Sequence, residues 1–299
     1  MWLGVQSQQL TDEGVAFCIR GDVRTFRAIN DGHNPTLLWR LKTALPRCLF
    51  GLRLVRDVDL RDPVKAAKDF YQALRPMLLE FPYDFVSGGA MLGYYIDTAK
   101  AYSEFNVRLG QLLGVDPQEQ VRRVLYGAFD FGVTWPNIAL LDQYEAGWTS
   151  SDFIGMQLYK LPHNADENTI YHHREVVAAA KSLGYPDRPI WGVEFGLDKD
   201  GEEGDGWSGP TWGWEPERFG AWLEETAPTL TDVEHGIIFL GEETDKKWRS
   251  WRTVGHDVIA DAIARANKAE DARRAAIMPE LHGRAAAMAA AIGDISTVL

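Results

Sequence analysis

Apolar runs of strand length alternate along this chain with stretches whose apolar residues recur every three or four positions. Trp2 to Gln6 reads as a first strand. Residues 11–20 fit either a strand or one helix face through Val15-Ala16-Phe17-Cys18-Ile19. Val23 to Ile29 is strand-like and runs into Asn30-Asp31-Gly32, a turn signal. Asn34-Pro35 opens a helix with Leu37, Leu38 and Leu41 on one face, closed by Pro46. A third strand spans Cys48 to Val55, and Asp62-Pro63, an N-cap followed by proline, starts a helix carrying Ala67, Phe70, Leu74 and Leu78. Asp84 to Ala90 gives a fourth strand with its exit loop, and Thr98 to Leu113 a long amphipathic helix.

The second half repeats the theme. Val121 to Phe131 is a fifth strand, with a short helix from Pro136. Asp152 to Tyr159 is the sixth, and a helix from Thr169 to Leu183 closes on Gly184. Pro189 to Gly196 forms the seventh strand, Glu215 to Thr226 a helix, Gly236 to Leu240 the eighth strand. A helix follows from Val254; Pro279 is expected to break it before a second segment, Arg284 to Ile292.

About eight strand–helix alternations, with no Pro-, Gly- or Ser-rich linker, predict parallel βαβ units. They fit a single α/β domain, a (β/α)8 TIM barrel over residues 1–265, with a C-terminal helical extension over 266–299. Two doubly wound domains fit less well, because no glycine-rich phosphate loop follows the first strand. The extension would pack under the barrel or offer a small-residue surface for assembly with a partner or another copy.

Composition narrows the function classes. Of 299 residues, 45% are hydrophobic and 25% charged, the profile of an ordinary globular chain. A formal net charge of −12 argues against nucleic acid or an anionic membrane as partner. Two cysteines, Cys18 and Cys48, exclude a disulfide framework though not one bridge, and by default read as reduced, buried thiols. No run spans a membrane and no signal peptide precedes Trp2, so synthesis in the cytoplasm is expected. Eleven tryptophans, several clustered, suggest a stacking surface as well as a core.

The chemistry gathers at Pro189-Ile190-Trp191-Gly192-Val193-Glu194-Phe195-Gly196, where an apolar run ends in a carboxylate. Burying that acid is costly unless it is paired or used. It is either an ion-pair partner, with Arg53 or Arg56 of the third strand, or a working carboxylate where barrel chemistry sits. This segment resembles strand seven of the clan A retaining glycoside hydrolases, the cellulase- and mannanase-like barrels. Asp152 to Tyr159 resembles their strand six, with Gln157 where that clan usually has histidine and Tyr159 in place. Residues 169–189 resemble the helix and loop approaching strand seven. The resemblance implies that Glu194 is the nucleophile. It also implies an Asn-Glu pair after strand four, and here the chain reads Ser87-Gly88-Gly89-Ala90 instead. A retaining mechanism needs a second carboxyl about 5–5.5 Å from the first. Asp130, flanked by phenylalanines that would raise its pKa, and Glu242, with Glu243 beside it after strand eight, are the substitutes.

Trp207, Trp212 and Trp214, set among glycines and Pro210 in the loop after strand seven, form a candidate platform for sugar rings, with Trp135, Trp248 and Trp251 as further cleft walls. The acidic stretch 198–205 lacks EF-hand spacing, and His172-His173 does not converge as metal ligands, so neither metal nor cofactor is expected. Two readings remain open. One is a retaining glycoside hydrolase acting on a polysaccharide, with Glu194, Asp130 and Glu242 catalytic and Gln157, Tyr159 and the indoles binding substrate. The other is a degenerate barrel that binds a surface glycan or serves as a structural part of an assembly such as a phage tail, reaching its glycan in a virion or after lysis.

Overall fold

The computed structural model describes residues 1–30, 33–87, 99–116, 118, 120–131, 138–160, 169–197, 206–239 and 252–296, with backbone alone at 130, 131, 138, 139, 169, 239 and 278–296. Strand and helix alternate as the pattern predicts. The first half runs β1 (Trp2–Ser7), α1 (Asp12–Arg20), β2 (Thr25–Ile29), α2 (Pro35–Ala44), β3 (Leu49–Arg53), α3 (Pro63–Glu80), β4 (Phe85–Ser87) and α4 (Ala99–Gly114). The second runs β5 (Leu125–Phe131), α5 (Glu145–Ser150), β6 (Phe153–Lys160), α6 (His173–Ser182), β7 (Ile190–Leu197), α7 (Pro216–Thr226), β8 (Val233–Phe239) and α8 (Asp257–Ser296). Each strand pairs in parallel with its sequence neighbours, and β8 returns to β1, closing an eight-stranded barrel. The fold is a single (β/α)8 TIM barrel.

The ambiguous stretch at 11–20 is helical. Thr11 caps it by accepting from the Gly14 amide at 3.1 Å, and Gly14, Val15, Phe17 and Cys18 bury one face. Asn34 and Asp62 cap α2 and α3 in the same way, each followed by proline in the first turn. In the barrel interior Trp191 stacks on Phe153 at 4.0 Å and meets Phe85 edge-on at 4.9 Å. Gly51 and Gly127 make room for this aromatic layer: a Cβ on either would sit 2.1 Å from the Phe85 or Phe153 ring.

The N-terminal end of the barrel is sealed by the first half of α8. Asn267 accepts from the Leu3 amide at 2.6 Å and donates to the Leu3 and Asp22 carbonyls, each at 3.0 Å. Asp271 accepts from Trp2 Nε1 at 2.9 Å. Above this seal His235 packs its ring against Trp191 at 4.4 Å and shares a 2.6 Å hydrogen bond with Thr25. The helix thus runs across residue 265 and binds the barrel beyond it. The break expected at Pro279 is absent: α8 runs unbroken for 40 residues from Asp257 to Ser296. A proline costs one backbone hydrogen bond and a bend, and the alanine-rich sequence after it favours helix strongly enough to resume the ladder. Pro76 is carried inside α3 in the same way.

Candidate active site

Gln6, Arg53, Ser87 and Tyr159 lie at or next to the C-terminal ends of their strands, Arg27 sits at the middle of β2, and Glu194 lies in the C-terminal half of β7. In a strand of strict alternation, Trp191 and Val193 facing the interior would turn Glu194 outward. The ladder prevents this. Met156 pairs with Gly192 and the next residue, Gln157, pairs with Glu194, so β7 holds one extra residue, Val193. Such a bulge turns the following side chain. It brings Glu194 towards Arg27 and Arg53, which come from β2 and β3 on the far side of the barrel.

A second bulge lies on β5, where Ala128 pairs with Ile154 and Phe131 with Met156. Phe129 takes up the extra length at φ +65°, a strained angle for a residue with a side chain. Its ring is buried against Tyr102 and Tyr144, its amide meets Asn106, and its carbonyl faces Gly155. Gly155 sits between the two bulges. A Cβ there would lie 2.7 Å from the Phe129 oxygen and 3.1 Å from Val193 Cγ1.

Glu194 is held by three side chains. Arg53 Nη1 donates to Oε1, Tyr159 Oη donates to Oε2 at 3.0 Å, and Arg27 Nη2 lies 3.9 Å from Oε1. The ion pair with Arg53 is therefore present, while Arg56 is exposed. Burial works to raise the Glu194 carboxyl; Arg53 and Arg27, with the hydrogen bonds from Arg53 and Tyr159, outweigh it and hold the group below the ordinary glutamate value. The side chain is nonetheless 16% exposed, so the carboxylate is paired and also reaches solvent. Such a group is suited to a nucleophile or an electrostatic stabiliser, which must be ionised, and unsuited to donating a proton.

Of the other candidates, Gln157 is half-buried and is the cross-strand partner of Glu194. Trp207 departs from the expected platform. It is 3% exposed, stacked on Phe219 at 5.1 Å and edge-on to His256, so it is a core side chain. Trp212 and Trp214 remain partly exposed, 5.4 Å apart and edge to face. Trp214 lies under the Arg218 guanidinium at 4.3 Å and against Trp222, which stacks on Phe195, the residue after Glu194. The aromatic loop is thereby anchored to the strand that carries the carboxylate. The side chain of Asp130, and all of Glu242, Glu243, Trp135, Trp248, Trp251 and the acidic stretch 198–205, lie outside the described residues.

Ser87 ends β4 where the Asn-Glu pair was sought, and its hydroxyl accepts from Arg27 Nη1 at 2.9 Å. Pattern reading did not single out Arg27 or Gln6 as site residues. The signal was available: inside the apolar runs of β2 and β1, a buried arginine carries the same kind of charge penalty as Glu194 unless it is partnered, and a buried glutamine a smaller one. Among the described residues no group of three or more His, Cys, Asp or Glu side chains could hold a metal, and no helix is long and apolar enough to cross a membrane.

No protein-family model matches this chain, and no curated protein does. Solved structures do. A GH39 enzyme from Xanthomonas axonopodis pv. citri matches at 14% identity over 79% of this chain and 57% of its own, with a TM-score of 0.52. A glucosidase from Croceicoccus marinus matches at 12% over 89% of this chain and 66% of its own, TM-score 0.57. Human YKL-39, described as a pseudo-chitinase with retained chitooligosaccharide binding properties, matches at 10% over 89% of this chain and 99% of its own, TM-score 0.56. The chain spans less than two thirds of the length of the first two. The shared property is the fold, a (β/α)8 barrel.

Proposed function

We propose that this barrel binds a glycan at the C-terminal ends of its strands and acts on it as a retaining glycoside hydrolase, with Glu194 as the nucleophile. The observation that carries the reading is the Glu194 carboxylate, turned into the barrel mouth by the β7 bulge and kept ionised by Arg53, Arg27 and Tyr159. In such a reaction the carboxylate attacks the anomeric carbon while an acid protonates the departing glycosidic oxygen, and water then cleaves the glycosyl ester. Asp130 or Glu242 would supply the acid. Tyr159 would steady the carboxylate, and Trp212 and Trp214 would stack on sugar rings further along the chain.

A second reading, a barrel that binds glycan without cleaving it, is favoured by Ser87: the last residue of β4 is a buried hydroxyl occupied by Arg27. One experiment separates the two. Wild type and Glu194→Gln are tested against a polysaccharide and oligosaccharide panel for both binding and release of reducing ends. Binding by both proteins with turnover by wild type alone supports hydrolysis, and a 2-deoxy-2-fluoro glycoside should then label Glu194. Binding by both with turnover by neither supports the second reading. In either case Trp214→Ala should weaken binding by about two- to tenfold, in line with an aromatic contact of about 0.5–1.5 kcal/mol. Absence of binding throughout the panel refutes both.

A further inference from the structure

Arg27 is fully buried, yet it makes no hydrogen bond to Glu194, which it approaches only to 3.9 Å. Its hydrogens go elsewhere. Nε donates to Gln6 Oε1 at 2.9 Å and Nη2 to the same oxygen; Nη1 donates to Ser87 Oγ at 2.9 Å, and Nη2 also to the Val193 carbonyl. Strands β1, β4 and β7 thus clamp a guanidinium carried by β2, and all three of these clamping partners are neutral. Val193 is the extra residue of the β7 bulge, so the distortion that turns Glu194 also presents a carbonyl to Arg27.

Gln6 is also fully buried. Its Oε1 accepts both bonds from Arg27, while its Nε2 has no hydrogen-bond partner. An unpaired buried amide group is unfavourable. A glutamate has the same shape, would lose no bond at that atom, and would gain a charge-assisted contact to Arg27. Local hydrogen bonding therefore favours glutamate at position 6, and the chain has glutamine. We infer that Gln6 is a positioning residue whose neutrality is its function: it fixes Arg27 beside Glu194 without cancelling the guanidinium charge, leaving that charge to act on the carboxylate. The inference rests on the reading of Glu194 as the working carboxylate. Arg53 from β3 and Tyr159 from β6 are the other described charged or titratable groups in contact with it.

The test is a 13C NMR titration of the Glu194 carboxyl in the full chain, its signal assigned by loss in Glu194→Gln. Gln6→Glu should raise the Glu194 pKa by about one pH unit or more, because a new carboxylate offsets a cation 3.9 Å away. Ser87→Asp places the offsetting charge on Nη1 instead and should shift it in the same direction, which covers the case where one acid variant fails to fold. Gln6→Met removes the clamp without adding charge and should move the pKa less. An unchanged Glu194 pKa in a folded acid variant overturns the inference. So does an equal rise in Gln6→Met, since loss of the clamp alone would then account for it. Failure of both acid variants to fold while Gln6→Met folds also refutes it, because offsetting the guanidinium would then be what the fold cannot bear. Glycan binding, measured in parallel, keeps the two ideas apart: the expected shift in a protein that binds no glycan leaves this inference standing and removes the proposed function.

Discussion

Replacing Arg53 with methionine removes the guanidinium that holds Glu194 while keeping an apolar stem of similar reach. Both side chains are largely out of water, Arg53 8% exposed and Glu194 16%. Unit charges about 4 Å apart attract by about 4 kcal/mol at an effective dielectric near 20, and stranding one member of a buried pair costs about 3–5 kcal/mol. Arg27 stays behind at 3.9 Å and Glu194 retains some water, which moves the expectation to about 2–4 kcal/mol. For a chain of 299 residues that is a fall in Tm of about 3–6 °C. The folded pKa of Glu194 lies below its ordinary 4.5, so the stability it contributes is complete above that value and is lost as the pH falls through the depressed folded pKa. The Tm gap between wild type and Arg53→Met should therefore be widest near pH 7 and shrink as the pH drops below 4.5. Thermal unfolding of wild type, Arg53→Met, Glu194→Gln and the double variant at pH 7 and pH 4 measures both effects. A coupling energy of about 2 kcal/mol at pH 7 is expected. Coupling below about 0.5 kcal/mol, or a Tm gap that ignores pH, would refute the claim that Arg53 holds the carboxylate ionised.

Two further perturbations probe the frame around the site. Burial, reinforced by the positive charge of Arg274, pushes the His235 imidazole down to about 3 from an ordinary 6.5. The unfolded chain takes up a proton in that window that the folded barrel refuses, so stability falls as the pH drops below 6.5, by up to about 1.4 kcal/mol per pH unit. His235→Phe should flatten this slope in chemical denaturation between pH 6.5 and 4.5, whatever it costs at neutral pH. Gly155→Ala forces a methyl into the Phe129 carbonyl and the Val193 side chain; it should lower stability by about 1–3 kcal/mol and shift the Glu194 carboxyl resonance. An unchanged Glu194 resonance in that variant would mean that the two bulges do not jointly set its position.

How much of this was legible beforehand depends on whether the cause is local. The strand and helix order was readable because each element carries its own period, its own cap and its own stop. Thr11 settles the ambiguous 11–20 stretch as a helix by a bond to an amide three residues on. The importance of Glu194 was readable for a related reason: a carboxylate in an apolar run is costly wherever it points. Its direction was not, because alternation within β7 turns it away from the residues it meets. What reverses it is a mismatch in count between β6 and β7, a property of two segments separated by a helix. Arg27 shows the same division. Its charge is conspicuous in the Thr25–Ile29 strand, but its partners come from β1, β4 and β7, and only closure of the barrel brings them within reach. The three indoles of the loop after β7 are equivalent in sequence, and Phe219 on a later helix decides which one is core. Pro279 is the converse case, a strong local signal overridden by the residues around it. Because the carboxylate is aimed by a break in the ladder rather than by strand periodicity, a search for similar sites should weigh residues just after a bulged position at the C-terminal end of a strand, not only those facing inward by alternation.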